Sequence, residues 1–276
     1  MRILFFGDTF GKSGRSAVIK AIDAFSKKTK FDFVIVNGEN MAHGRGITPE
    51  IATAMFDAGV DAITLGNHAW DQKQILSFIE AEPRLIRPAN FPSGMKGEAP
   101  GKGSLILESK ISGEKLGLFQ LMGRVFMDPF DCPFQKADQI ISEFKDQGIG
   151  HLFLDMHAEA SSEKIAMAHY VDGRVSAVVG THWHVQTSDE RLLSNGTAAI
   201  TDVGLCGVFD SVIGAKKEVA IQKFLTKMPT RFEPAEGVGG VSAVVIDIDS
   251  EGKAQKIQRI RIEQVTADTL LEVKFK

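Results

Sequence analysis

Five apolar, strand-like runs lead directly into side chains that bind metals or move protons. Arg2–Phe6 leads to Asp8, and Phe33–Asn37 to Glu39 and Asn40. Asp61–Leu65 leads to Asn67 and His68, His151–Asp155 to His157, and Ser176–Gly180 to His182 and His184. Open α/β sheets bind ligands at the carboxyl ends of their strands. A single Gly-Asp at a strand end is common and carries little information. Recurrence at successive strand ends is different, because folding alone has no reason to place that chemistry there. His182-x-His184 puts both rings on one face if it is a strand, and lets them converge on neighbouring metals if it is a tight loop.

Asp, Glu, Asn and His donors without paired cysteines exclude a zinc-finger type of structural site. They suit first-row ions: iron or manganese first, with zinc or cobalt as alternatives. The donors outnumber what one ion takes while keeping an open position. Two ions sharing a carboxylate would use them, and such a pair clamps a phosphoryl group for in-line attack. Within Gly66-Asn67-His68, the amide oxygen of Asn67 is read as a ligand and His68 as a proton-transfer group, with Gly66 permitting a sharp turn.

The elements that must carry these residues follow from periodicity. The first half alternates strand and helix, which implies parallel pairing with right-handed crossovers. Helices are expected from Ser13 as cap to about Lys28, from Thr48-Pro49 to near Gly59, and from Asp71 to about Glu80. Gly11–Gly14 reads as a turn-rich loop, and Arg87–Pro92 as a proline-bounded one. Ser104–Glu108 and Lys115–Leu121 read as a hairpin turning at Ser112-Gly113. Lys136–Gln147, Glu163–Tyr170 and Lys217–Thr226 have helical spacing, Ala198–Asp202 reads as a further strand, and Val241–Ile248 with Lys256–Val265 form a closing hairpin. The expected fold is α/β, one domain over residues 1–276: a four-layer α/β/β/α sandwich of two mixed β-sheets.

Composition narrows the function classes. The 276 residues are 43% hydrophobic and 24% charged, an ordinary soluble balance with enough length for a sizeable core. A formal net charge of −3 gives no overall electrostatic case for a polyanionic partner, so phosphate binding would rest on a local positive site or a metal. No apolar run approaches the roughly 20 residues that span a bilayer. The N-terminus reads as a strand rather than a signal peptide. Cys132 and Cys206 read as reduced thiols. A cytoplasmic protein with no membrane partner is expected.

The ordered series Gly7-Asp8, Gly38-Glu39-Asn40, Gly66-Asn67-His68, His157 after a strand, and Gly180-Thr181-His182-Trp183-His184 resembles the calcineurin-like metallophosphoesterase superfamily. More narrowly, it resembles the YmdB-like bacterial metallophosphoesterases. Runs such as Val36–Gly44, Ala62–Asp71, Asp155–Lys164 and Val178–Thr187 extend the likeness over nearly the whole chain. The resemblance implies that one metal is held by Asp8, Glu39, Asn40 and His184, and the second by Glu39, Asn67, His157 and His182. Glu39 then bridges and His68 stays free. It also implies hydrolysis of 2′,3′-cyclic and 3′,5′-cyclic nucleotides by a metal-bridged hydroxide with His68 as general acid. Two departures from the superfamily stand out. The usual Asp-x-His is Asp8-Thr9-Phe10, and the usual bridging Asp is Glu39; the resemblance then implies that Asn40 fills the vacant coordination position.

Around this set, His43 reads as a substrate contact or an exposed loop histidine, and Arg124 as a phosphate fork or a salt-bridge partner. Asp155 orients a ligand or caps a strand, with Asp71 and Glu159 similarly placed. Trp183 stacks on a base or packs at the loop base. His151 and His169 read as structural. The substrates implied are small phosphodiesters, cyclic nucleotides and RNA ends, and a homo-oligomer is compatible with the sequence. Two rival readings are a phosphomonoesterase or nucleotidase on the same metals, and a regulatory protein that senses a nucleotide or RNA without hydrolysing it.

Overall fold

The computed structural model describes residues 1–92 and 99–275. Its first half runs β1 (Arg2–Phe6), β2 (Asp8–Thr9), α1 (Gly11–Ser26), β3 (Phe33–Asn37), α2 (Pro49–Asp57), β4 (Ala62–Thr64), α3 (Ile75–Ala81) and β5 (Leu85–Ile86). The hairpin β6 (Ser104–Glu108) and β7 (Lys115–Met122) follows, then α4 (Pro133–Asp146), β8 (His151–His157), α5 (Ser161–Tyr170) and β9 (Ala177–Thr181). The chain ends with β10 (Arg191–Leu192), β11 (Ala198–Ile200), β12 (Leu205–Cys206), α6 (Lys217–Thr226), the hairpin β13 (Val241–Ile248) and β14 (Ala254–Ile262), and α7 (Ala267–Glu272).

Two six-stranded sheets result, in the orders β14-β13-β1-β3-β4-β5 and β10-β11-β9-β8-β7-β6. In the first, β1, β3, β4 and β5 run parallel, and the closing hairpin adds antiparallel β13 beside β1. In the second, β7, β8, β9 and β11 run parallel, with β6 and β10 as antiparallel edges. A short parallel pair, β2 with β12, sets Asp8 beside Leu205.

The layers follow from the two-residue side-chain period of a strand. Ile3 and Phe5 of β1 face the second sheet, in one cluster with Leu118, Phe153 and Val179. Leu4 and Phe6 face the other way, onto Val18, Ile22 and Phe25 of α1. Phe119, Leu152, Leu154 and Met156 of the second sheet pack on Ile140 and Phe144 of α4 and Met167 of α5. Because both faces of each sheet are covered, the central strands read as continuous apolar runs. Phe5 and Phe153 stack across the middle layer, ring centroids 5.5 Å apart. Among the described residues no helix is long and apolar enough to cross a membrane.

Some boundaries differ from the sequence expectation. The stretch 11–14 is helical, so α1 begins at Gly11 and Ser13 caps nothing; its hydroxyl donates to the Gly237 carbonyl at 3.0 Å. Gly14 looked like a turn residue, but its hydrogen is needed for space, since a Cβ there would collide with the Cys206 carbonyl. α3 begins at Ile75, not Asp71, because Asp71 is drawn to His68 Nδ1 at 2.9 Å and the intervening chain forms turns. The short strands β2, β5, β10 and β12 are too brief for a periodic signal. By contrast, Thr48 caps α2 by accepting from the Ile51 N–H, and β6–β7 is the expected hairpin.

Phe153→Ala empties the centre of the inter-sheet layer. The expected loss of stability is about 3–5 kcal/mol, measured by urea unfolding; a loss below about 1 kcal/mol would show that this layer closes around the gap.

Candidate metal centre

The alternation that puts Phe153 between the sheets also puts Asp155 and His157 there, two and four residues on. The same face ends in Asn37 on β3, Thr64 on β4, Gln120 on β7 and Thr181 on β9. These polar ends form a buried hydrogen-bonded layer. Asp155 accepts from Thr64 Oγ1 at 2.6 Å, Gln120 Nε2 at 2.9 Å, Asn37 Nδ2 at 3.2 Å and Thr181 Oγ1 at 2.7 Å. Gln120 and Asn37 also hold the Leu65 backbone, which fixes where Gly66, Asn67 and His68 emerge.

Above this layer the strand-end donors converge. Ligand atoms of Glu39, His157 and His182 lie within 4.8 Å of one another, as do those of Asp8, Glu39 and His184. Glu39 belongs to both groups. Asn67 Oδ1 is 3.0 Å from His157 Nε2, and Asn40 Oδ1 is 3.1 Å from His184 Nε2, so each group gains an amide oxygen. Gly66 does not adopt a left-handed turn. Its role is steric: a Cβ there would stand against Glu39 Oε2 and His157 Nε2, filling the space on which both converge.

Each histidine has one nitrogen committed elsewhere. Thr181 gives its only hydroxyl proton to Asp155 and so accepts from His157 Nδ1–H at 2.8 Å, leaving Nε2 to face Glu39. His184 Nδ1 donates to the Ile213 carbonyl at 2.8 Å, again leaving Nε2. His182 is reversed: Nε2 meets the Glu159 carboxylate at 3.0 Å, and Nδ1 is buried with no hydrogen bond among the described residues. Asp8 Oδ2 accepts from the His182 N–H at 3.1 Å, while Oδ1 is buried, lies 3.9 Å from His184 Nε2 and makes no hydrogen bond among the described residues. Orphaned buried ligand atoms are costly unless something binds them. Second atoms anchored by carboxylate, hydroxyl and carbonyl are the usual support of metal-binding histidines. The donor set therefore fits divalent metal ions.

His182 and His184 form a loop with φ of 108° and 63°, sparsely populated values for side chains of this size. The strain is held by the His182 N–H bond to Asp8 and by Trp183 N–H, which donates to Asp202 Oδ2 at 3.0 Å. Asp202 also pairs with buried Lys164 at 2.7 Å. Trp183 packs rather than presenting its face: its indole N–H donates to the Glu159 carbonyl and Lys164 Nζ lies 4.3 Å from the ring centroid.

His68 stands beside the donors, half-buried, its backbone N–H donating to Glu39 Oε2 at 3.1 Å. Nδ1 is 2.9 Å from Asp71, so Nε2 is the nitrogen left for a substrate. His43 and Arg124 stay outside the donor cluster. His43 is exposed at φ 53° in the loop after Asn40. Arg124 is exposed just past the end of β7, the strand that pairs with β8 and its terminal His157, and makes no ion pair among the described residues. Cys206 is buried, which pushes its thiol up to about 12, and is no nucleophile. Thr181, Gln120, Thr64, Asn37 and the Lys164–Asp202 pair went unread in the sequence; counting alternate positions onward from inward-facing residues such as Phe153 would have found the first four.

Burial raises the Asp8 carboxyl to about 6. Burial opposes charge on His157, but Glu39, Asp8 and Asp155 outweigh it and push the imidazolium up to about 9. Glu39 is held below the usual carboxylate range: burial opposes this, and the His157 charge overcomes it. Burial lowers His182 to about 3. A metal must therefore displace protons from Asp8 below about pH 6 and from His157 up to about pH 9. Metal affinity should rise with pH across that window, and calorimetry in buffers of different ionisation enthalpy should find about one proton released at pH 7. A pH-independent affinity would contradict this. Gly66→Ala should fold yet carry less metal than the native chain by elemental analysis, because its methyl group occupies the space between Glu39 and His157. Metal retained in full by the variant would show that this space is not used.

The model of the YmdB-like protein family matches residues 4–260. A 2′,3′-cyclic-nucleotide 2′-phosphodiesterase of Bacillus subtilis (strain 168) is 50% identical over 263 residues, which cover 95% of this chain and 97% of that protein. The crystal structure of a hypothetical protein from Thermus thermophilus has TM-score 0.88 and 41% identity, covering 96% of this chain and 100% of that one. A phosphatase from Mycoplasma pneumoniae has TM-score 0.88 and 34% identity, covering 99% of this chain and 97% of that one. The four-layer sandwich is the calcineurin-like metallophosphoesterase fold, and the chain belongs to the YmdB-like family of phosphoester hydrolases.

Proposed function

We propose that the chain is a dinuclear metal-dependent phosphodiesterase of 2′,3′-cyclic and 3′,5′-cyclic nucleotides. The observation that carries this reading is Glu39, shared by two donor groups and hydrogen-bonded to the backbone of His68. The activity named for the Bacillus subtilis relative supports the 2′,3′-cyclic class. In this reading Asp8, Glu39, Asn40 and His184 hold one ion, and Glu39, Asn67, His157 and His182 the other. The donors, rich in carboxylate, amide and imidazole and free of thiolate, favour iron or manganese, with zinc or cobalt able to substitute. When bound, such ions acidify water and neutralise phosphoryl charge.

The chain's own groups supply the rest. His68 Nε2 holds the proton that passes to the departing ribose oxygen as the phosphorus–oxygen bond breaks. Asp71 fixes the ring through Nδ1, as the carboxylate partner does in other acid–base histidines. Glu159 and Thr181 aim His182 and His157. Arg124 and His43, both exposed, are the side chains assigned to substrate contact.

His68→Ala should lower kcat about 10²–10⁴-fold on cyclic nucleotide while both metals remain by elemental analysis. Loss of metal in that variant would make His68 a ligand and overturn its assignment. The diester bis-p-nitrophenyl phosphate should be cleaved faster than the monoester p-nitrophenyl phosphate; the reverse order would favour a phosphomonoesterase, the activity class suggested by the Mycoplasma pneumoniae relative.

A further inference from the structure

A cleft of about 1100 Å³ opens beside the donor cluster. Its inner wall includes Phe10, His43 and Asp71. Each joins it to the centre: the Phe10 ring meets the His184 ring edge-on at 5.7 Å, Asp71 binds His68, and His43 follows Asn40, whose amide donates to the Gly44 carbonyl. The cleft therefore adjoins the metal-ligand cluster through these three residues. Its volume exceeds the roughly 300–1,000 Å³ of a site for one small molecule.

The lining is locally cationic on a chain of net charge −3. Lys12, Arg45, Lys216, Lys223 and Arg231 face Asp71, Glu233 and Glu236. Asp71 is engaged by His68, and Glu233 and Glu236 both hold Lys216. Lys12 and Arg45 are exposed and make no ion pair among the described residues. At the outer wall, Phe232 is 38% exposed, with Lys223 Nζ 4.5 Å from its ring centroid. Phe10 is not available for stacking, because Gly44 and Gly214 lie tight against its ring. A cationic track with one exposed aromatic platform is the surface that single-stranded nucleic acid binds.

We propose that this cleft seats the single-stranded RNA that precedes a terminal cyclic phosphate, so that the substrate is an RNA 3′ end and not only a free cyclic mononucleotide. The proposal rests on the phosphodiesterase reading. It also places the reaction in a sequence. Only ribose forms a 2′,3′-cyclic phosphate, and it forms when the 2′-oxygen attacks the adjacent phosphorus and displaces the 5′-oxygen of the next nucleotide, which leaves as a hydroxyl. RNA cleavage of that class supplies the substrate.

The test compares a hexaribonucleotide ending in 2′,3′-cyclic phosphate with the cyclic mononucleotide of the same base, using metal-replete protein and a Lys12→Glu, Arg45→Glu double variant. The hexamer should have a kcat/KM about tenfold higher at low salt, falling steeply as salt rises, since each phosphate contact contributes about −0.7 to the log–log slope for single strands. The variant should lose that gain and keep mononucleotide turnover, which also reports an intact fold. Equal kcat/KM for both substrates, or equal losses on both in the variant, overturns the proposal and leaves the activity standing. If neither substrate is turned over, the activity reading fails, and fluorescence anisotropy of the labelled hexamer decides the cleft alone. Binding about tenfold weaker in the variant upholds the cleft; unchanged binding overturns it.

Discussion

Asp155 lies fully buried between the two sheets and accepts hydrogen bonds from four side chains carried by four other strands. A buried carboxylate is tolerable only when it is paired or fully hydrogen-bonded. Burial pushes its pKa up, and the His157 charge and the surrounding donors pull it back. Satisfying Asp155 therefore requires Thr64 and Asn37 of one sheet and Gln120 and Thr181 of the other to arrive together. That requirement registers the sheets at their carboxyl ends. Through Thr181 it also decides which nitrogen His157 presents to the donor cluster. The dry stack of Phe5 on Phe153 holds the sheets together; the polar layer above it sets how they are aligned where chemistry is to occur.

A second constraint acts on the opposite side of the cluster. The His182–His184 loop is backbone-strained, and strain of this kind costs about 1–3 kcal/mol per residue. It persists because Asp8 and Asp202 take its N–H groups, and Asp202 is itself held by buried Lys164. The same Asp8 that turns one oxygen toward His184 in the cluster thus uses its other oxygen to shape the loop that brings the histidines. Binding geometry and backbone geometry are coupled through single side chains.

Much of this was legible in the sequence. The strand-end donors were visible because an apolar run ending in Asp, Glu, Asn or His is a local pattern, and the sandwich followed from the change from strand–helix alternation to hairpins. Helix starts were less legible. Gly14 resembled a turn residue because the sequence does not distinguish a glycine needed for left-handed backbone from one needed for close approach. Gly66 misled in the same way: its missing Cβ leaves room beside Glu39 and His157. Asp71 resembled a helix start, yet its carboxylate is committed to His68.

The sequence by itself determined donor types, their order along the chain and the strands that deliver them, since all three depend on residue identity and short-range periodicity. Only the tertiary structure decided which donors share Glu39, which nitrogen each histidine leaves free, and that a cationic cleft lies beside the cluster. Those outcomes depend on contacts between residues far apart in the chain, such as Asn37 with Asp155 and Asn40 with His184. Such contacts are fixed by how two sheets pack, and no local pattern encodes them.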